Sequence, residues 1–171
     1  MKKYWTVAED DMISIEKFKD KDTQSVIDLV LHLQNDGTRP LISVENQPDL
    51  LHITTEYIET GGYFWVAKDN GEVVGSIGLM PYDREIAFLK KFFVYEAYQG
   101  EPLHLGRQLF SKLLHFANEK GFRKIYLDTP KNTTRAHHFY EKAGFVKVNE
   151  CDIPGSFSHP YQENDFFLLN L

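Results

Sequence analysis

The stretch NTTRAHHFYEKAGF, residues 132–145, decides the fold of this 171-residue chain. Thr133 or Thr134 suits a helix N-cap, because its side-chain oxygen can accept a hydrogen bond from a free amide of the first turn. Gly144 supplies the kind of residue that commonly closes a helix. The stretch therefore predicts a helix that begins at one of the two threonines and runs to Ala143.

The segment just upstream predicts a second helix between two strands. Apolar residues at spacings of three and four predict a helix over about 104–120, with Gly121 as its stop. The residues of this apolar stripe are Leu105, Leu109, Leu113, Phe116 and Ala117. Strands are predicted before it, at 86–95, and after it, around 125–127. Because two strand–helix–strand units result, over 86–128 and 122–148, parallel pairing is predicted within each.

The rest of the chain completes one domain. The predicted order is β-α-α-β-β-β-α-β-α-β-β. It comprises a strand at 12–18, a helix from Asp20 or Asp22 to Gly37, a helix from Pro48 to Gly61, a hairpin over 63–80 and a last strand at 166–171. Residues 1–11 form an N-terminal extension, and residues 12–171 form the domain.

Composition excludes several classes of protein. Apolar residues make up 42% and charged residues 26%, as in an ordinary globular protein. The net charge of −6 argues against nucleic-acid binding. A single cysteine, Cys151, excludes an intrachain disulfide and indicates a reducing cytoplasm. No apolar run approaches the roughly 20 residues of a membrane span, and the first residues do not resemble a signal peptide.

The start of the 104–120 helix is the first candidate binding site. A helix N-terminus offers unpaired amides and the positive end of a dipole, which suit an anion. Gly106 leaves room for a ligand to approach the backbone. Arg107 and His104 add positive charge where it opposes the dipole, a conflict that a bound anion would remove. Taken alone, Arg107 is better interpreted as a solvated surface residue.

The residues of both helices together resemble the GNAT superfamily of acyl-CoA-dependent N-acetyltransferases. The pattern A-x-x-x-Y-E-K-x-G-F of that family is matched by Ala136, Tyr140-Glu141-Lys142 and Gly144-Phe145. LKKFFV at 89–94 resembles the family's fourth strand. YQG at 98–100 with LGRQL at 105–109 resembles its pyrophosphate loop and the following helix. The resemblance covers nearly the whole chain and implies an α/β fold with a mixed sheet in a single three-layer α/β/α domain, with strands four and five splayed apart.

The resemblance implies a role for each matching position. A backbone amide at a bulge near Phe93 or Val94 would bind the thioester carbonyl of acetyl-CoA, the co-substrate. Loop and helix amides would wrap its pyrophosphate, and these belong to Gln99, Gly100, His104, Leu105, Gly106 and Arg107. Asn132, Thr133 and Ala136 would contact the cofactor at the start of the last helix. Tyr140 would protonate the leaving thiolate.

The chain departs from the family pattern at three places. Gly106 lies two residues further from Val94 than is usual, and Pro102 in the same loop has no amide hydrogen to donate. Phe88 occupies the position where many relatives have a glutamate base. Asp128, twelve residues before Tyr140, is the candidate general base instead, although an aspartate in Asp128-Thr129-Pro130 could equally be a turn or cap residue.

Other polar residues are open to two interpretations. His159 and Tyr161 could line an acceptor pocket or be exposed. Glu45, Glu56 and Glu59 could attract a cationic amine or form a solvated face. The seven histidines form no i,i+4 pair, which predicts that there is no metal site.

The predicted function is acetyl transfer from acetyl-CoA to a primary amine of a small molecule or peptide by direct attack. The expected partners are acetyl-CoA and the amine, without nucleic acid or membrane, and a homodimer is expected by fold analogy. Two alternatives stay open on the same fold: a non-catalytic acyl-CoA-binding or sensing module, and a scaffold protein that has lost the cofactor.

Overall fold

The computed structural model describes residues 13–155, 159–160 and 163–171, where a mixed seven-stranded sheet carries helices on both faces. The predicted extension at 1–11 and Tyr161 lie outside the described residues. The strands are β1 (Ile13–Lys17), β2 (Tyr63–Asp69), β3 (Glu72–Pro81), β4 (Ile86–Val94), β5 (Lys124–Pro130), β6 (Val146–Val148) and β7 (Asn164–Asn170). The helices are α1 (Thr23–Gln34), α2 (Leu105–Lys120) and α3 (Thr134–Lys142). The predicted α/β class is confirmed.

Alternating side chains of the strands fill two cores, one on each face of the sheet. In β2, Phe64 and Val66 pack with Val26, Val30 and other residues of α1. The intervening Trp65 and Ala67 belong to the opposite core, together with Leu105, Leu109 and Leu113 of α2. The period of two along the strand thus sends successive residues to different helices, which gives three layers.

Strands β4 and β5 pair over only part of their length. They are parallel, and Ile86–Phe88 lie opposite Lys124–Tyr126. β4 then continues to Val94 and β5 to Pro130 without further mutual pairing. The two strands therefore open a gap in the sheet, as the resemblance implied, and the gap faces the first turns of α2 and α3.

The second predicted parallel pairing is wrong. β6 does not pair with β5, because β7 lies between them and pairs with both in the antiparallel sense. β7 buries Phe166, Phe167 and Leu169, whereas β6 is largely exposed. A strand with apolar side chains on both faces takes the interior position, and the short polar strand is left at the edge.

The helix predicted from Pro48 to Gly61 is also wrong as a continuous element. The segment forms a 3₁₀ turn over Pro48–Leu51 and a π-helical turn over Thr54–Ile58. His52 and Ile53 lie between them, and His52 has a non-helical conformation. Leu50 and Tyr57 are buried as the periodicity predicted, while Leu51 is 52% exposed. The sequence therefore predicted which residues of this segment are buried, but it did not predict that the helix is interrupted.

Candidate active site

A cleft of about 1060 Å³ lies where β4 and β5 separate. Its walls come from both strands, from the first turns of α2 and α3, and from the irregular segment between α1 and β2. The predicted site residues that line it are Phe93, Val94, Gln99, Gly100, His104, Gly106, Arg107, Asp128, Asn132, Thr133, Ala136 and Tyr140. The fold thus brings nearly all of the predicted residues to one place.

The bulge in β4 lies slightly before its predicted position. Ser76 pairs with Phe93 and Gly78 with Lys90, so the extra residue is at Lys91–Phe92 rather than at Phe93 or Val94. Lys91 adopts a left-handed backbone with φ of 54°, and its carbonyl accepts a 2.7 Å hydrogen bond from Ser76 Oγ. Phe93 and Val94 line the cleft just after the bulge.

The α2 N-terminus presents fewer amides than the resemblance implied. The His104 amide donates to the Gly100 carbonyl at 2.7 Å, and the Gln99 amide donates to the Glu96 carbonyl at 3.2 Å. Those two amides are therefore already engaged. Among the described residues, the first-turn amides of Leu105, Gly106 and Arg107 have no acceptor, as expected for the start of a helix. The Leu105 side chain itself is fully buried in the core.

The residues before α3 are partly occupied by protein contacts. The Asn132 side chain accepts a 3.1 Å hydrogen bond from Arg39 and donates one of 3.3 Å to Thr38. The Thr133 hydroxyl donates to the Pro130 carbonyl at 2.7 Å, and it makes no capping bond to the helix amides. Asn132 and Arg39, which both line the cleft, are therefore hydrogen-bonded to each other.

Tyr140 is held rigidly at the cleft wall by aromatic neighbours. Its ring lies at centroid distances of 5.5–6.5 Å from those of Phe92, Phe139, Phe145 and Phe167. Its hydroxyl makes no hydrogen bond with any described residue. Burial, and secondarily the charge of Asp128, raise the pKa of Tyr140 far above its usual range. The phenol therefore keeps its proton at neutral pH.

Asp128 lies inside β5, paired with Phe166, and not in a turn. Its side chain is half-buried on the floor of the cleft. Burial raises the pKa of Asp128, and the charges of Lys90, His159 and Lys91 counteract that effect. A carboxylate with a raised pKa is a better proton acceptor than an exposed one, which suits a general base.

Lys91 is a cleft residue that the sequence reasoning missed. Its side chain is 6% exposed, its Nζ donates to Gln47 Oε1 at 2.7 Å, and it lies 3.5 Å from Asp49 Oδ1. Asp49 also accepts a 2.6 Å hydrogen bond from the buried Tyr57 hydroxyl. Strand alternation in LKKFF gave no clear signal for it, because the bulge at Lys91–Phe92 interrupts that alternation and Lys90 lines the cleft as well.

The sequence reasoning assigned no role to three cationic side chains of α3, although one of them, Lys142, belongs to the matched family pattern. Arg135, His138 and Lys142 line the cleft and are exposed at its edge. They recur at spacings of three and four, which places them on one face of the helix. That periodicity was visible in the sequence, but nothing indicated that this face borders the cleft.

The remaining predicted polar residues are dispersed. Glu56 lines the cleft, whereas Glu45 and Glu59 do not. His159 lies near Glu150, with 3.2 Å between its Nε2 and a carboxylate oxygen. In the part of the chain that the structure describes, no group of three metal-ligating side chains is found. Over the same residues, no helix has the length and apolar character needed to cross a membrane.

Comparison with known proteins places this geometry among acetyltransferases. Residues 27–145 match the model of the acetyltransferase (GNAT) family. The chain is 32% identical over 117 residues to "Probable N-acetyltransferase camello" of Xenopus tropicalis, covering 66% of this chain and 52% of that protein. The chain spans about half the length of the curated relatives it matches first.

Solved structures match over more of the chain. An acetyltransferase from Streptococcus agalactiae shares 34% identity with a TM-score of 0.87, and the match covers 93% of this chain and 98% of that one. A GNAT acetyltransferase from Staphylococcus aureus shares 30% identity with a TM-score of 0.84, over 92% and 98% of the two chains.

Proposed function

The chain belongs to the GNAT acetyltransferase family, and from that premise we propose that it transfers an acetyl group from acetyl-CoA to a primary amine of a small molecule or peptide. One observation carries the proposal: a single cleft holds free helix amides for an anion, a protonated tyrosine and a half-buried aspartate. A GNAT structure from Elizabethkingia anophelis, 20% identical with a TM-score of 0.58, was determined with acetyl-CoA bound.

The co-substrate is proposed to enter through the gap between β4 and β5. The amides of Leu105, Gly106 and Arg107 would hold the pyrophosphate, and the pantetheine arm would follow the gap toward Asp128. An amide of β4 just after the bulge, that of Phe93 or Val94, would bind the thioester carbonyl oxygen. Such donors stabilise the negative charge that develops on that oxygen during acyl transfer.

Direct attack by the amine is favoured by the side chains present. No cysteine or serine lines the described part of the cleft, which leaves no obvious residue for a covalent acyl intermediate. The amine nitrogen bonds to the thioester carbon, the C–S bond then breaks, and the amine loses one proton. Asp128 would accept that proton, and Tyr140 would donate its own to the departing thiolate.

Both proton transfers matter energetically. An amine with a pKa of about 10.4 requires about 4.6 kcal/mol to become neutral at pH 7. A positioned general acid or base contributes about 10²–10⁴ in rate. The acidic residues Asp36, Asp49, Glu56 and Asp128 line the cleft. Asp36 and Asp49 form ion pairs with Arg39 and Lys91, so the negative charge that supports an amine as the acceptor comes from Glu56 and Asp128.

The first experiment measures thermal unfolding with acetyl-CoA and with adenosine 3′,5′-bisphosphate. At a ligand concentration of about 100 times the Kd, binding stabilises the folded protein by about 2.7 kcal/mol. For a chain of this size, that raises the Tm by roughly 5–10 °C. Release of free thiol is then followed with a panel of primary amines. No shift at millimolar acetyl-CoA would reject the proposal.

The same experiment separates the alternatives. Engagement of the Gln99 and His104 amides within the loop leaves fewer amides for a pyrophosphate, which keeps the two alternatives open. A sensing module would bind acetyl-CoA and release no thiol with any amine. A scaffold would bind no CoA derivative. Location in the cytoplasm and a homodimer remain separate predictions.

A further inference from the structure

The α3 basic stripe, defined as Arg135, His138 and Lys142, is not used by the reaction proposed above. The three residues lie on one face of α3 and line the cleft next to the α2 N-terminus. The helix rises about 1.5 Å per residue, so the stripe extends for about 10 Å. It starts beside the pyrophosphate loop, because an Arg135 guanidinium nitrogen lies 3.6 Å from the position that a Cβ on Gly100 would occupy.

The two ends of the cleft differ in how their cations are neutralised. At the acceptor end, Lys91 lies 3.5 Å from Asp49 and Arg39 lies 3.3 Å from Asp36. Among the described residues, Arg107 and all three members of the stripe have no carboxylate within ion-pair distance. In a chain with a net charge of −6, this local excess of positive charge calls for a ligand with more than one anionic group.

Acetyl-CoA carries two such groups, a pyrophosphate and a 3′-phosphate on its ribose. The free amides of α2 are suited to the first, with Arg107 in the same helical turn. Among the described residues, the α3 basic stripe is the other group of unpaired cations at this end of the cleft, and it is suited to the second. We propose that the α3 basic stripe binds the 3′-phosphate, with Lys142 as its principal charge, and makes the chain selective for CoA over dephospho-CoA. This inference rests on the proposed function, since it assigns a recognition element to the same co-substrate.

The test is calorimetric titration with CoA and with dephospho-CoA, which differ only in the 3′-phosphate. The wild-type chain is expected to bind CoA at least tenfold more tightly, a difference of about 1.4 kcal/mol. Lys142→Met should lose about tenfold in affinity for CoA and keep its affinity for dephospho-CoA within twofold. The buffer contains about 0.15 M salt, because lower ionic strength exaggerates the effect of any exposed charge.

Lys112→Met is the matched control, because Lys112 is an exposed lysine of α2 outside the cleft. It should leave both affinities unchanged. Far-UV circular dichroism and Tm verify that each variant is folded, which is expected because both lysines are exposed.

The outcomes are distinct. Equal affinity of the wild-type chain for the two ligands would overturn the inference and leave the proposed function standing. The inference would also be overturned if Lys142→Met weakened the binding of both ligands equally, or if Lys112→Met weakened the binding of CoA as much as Lys142→Met does. Absence of binding by both ligands would reject the proposed function and the inference with it.

Discussion

Replacement of Tyr140 by phenylalanine tests the proposed proton donor with little disturbance of the fold. The ring packs among Phe92, Phe139, Phe145 and Phe167, and a phenylalanine preserves those contacts. The hydroxyl makes no hydrogen bond with the described residues, so its removal leaves no partner unsatisfied there. We therefore expect the free energy of unfolding to change by less than about 0.5 kcal/mol, or about 2 °C in Tm.

The catalytic effect should be much larger than the effect on stability. A general acid contributes about 10²–10⁴ in rate. The lower end applies here, because a thiol with a pKa of about 8.5 is already a moderate leaving group. Tyr140→Phe should therefore lower kcat by about 10²-fold. The raised pKa of Tyr140 also predicts no loss of activity from its ionisation up to pH 10.

The assay is thiol release at saturating acetyl-CoA, combined with calorimetric measurement of acetyl-CoA binding. Tyr126→Phe is the matched control, because Tyr126 is a buried tyrosine of β5 in a separate aromatic cluster outside the cleft. It should keep kcat within about twofold. If Tyr140→Phe retains full turnover, or if Tyr126→Phe loses as much, the reasoning about the proton donor is refuted.

Three further substitutions test the cleft. Asp128→Asn should lower kcat/KM by about 10²–10⁴-fold. It should also stabilise the protein at pH 7, because burial raises the pKa of Asp128 and its charge therefore destabilises the folded state. This destabilisation is present above the pKa that Asp128 has in the unfolded chain and disappears below it. Tm measured against pH checks this, and a gain in Tm that persists in acid would contradict it. Lys91→Met should lower the free energy of unfolding, measured in urea, by about 3 kcal/mol, because Asp49 loses its buried partner. A decrease below about 1 kcal/mol would show that the folded state does not need the ion pair. Gly106→Ala should stabilise the free chain by about 0.4–1 kcal/mol, since a Cβ there meets the Phe92 ring at an ordinary 3.5 Å. It should also raise the Kd for CoA, and unchanged CoA binding would remove Gly106 from the site.

Local periodicity was sufficient for the elements whose stability is mostly local. The helix α2 was predicted within one residue of its observed bounds, because the apolar stripe and Gly121 mark its buried face and its end. Segments whose conformation depends on distant contacts were predicted less well. Residues 48–60 have the apolar spacing of a helix, yet the backbone breaks at His52 and the carboxylate of Asp49 faces Lys91 and Tyr57.

Strand neighbours were likewise not determined by the order of elements. The unit β5–α3–β6 favours parallel pairing, but β7 inserts between the two strands. Its phenylalanine and leucine side chains gain more by burial in the interior of the sheet than the short, exposed β6 would. Competition between segments far apart in sequence decides such an arrangement, and a local pattern does not record it.

The sequence by itself determined the fold class and the α2 and α3 helices, because periodicity and helix stops are local properties of the chain. The candidate roles of Tyr140 and Asp128 were implied by the resemblance to the GNAT family. Tertiary structure decided which groups are available for chemistry. It placed the bulge at Lys91–Phe92, engaged the His104 amide with Gly100, and left Arg135 and Lys142 along the cleft without acidic partners among the described residues. Hydrogen bonds and ion pairs depend on distances between residues remote in sequence, so only the folded chain fixes them.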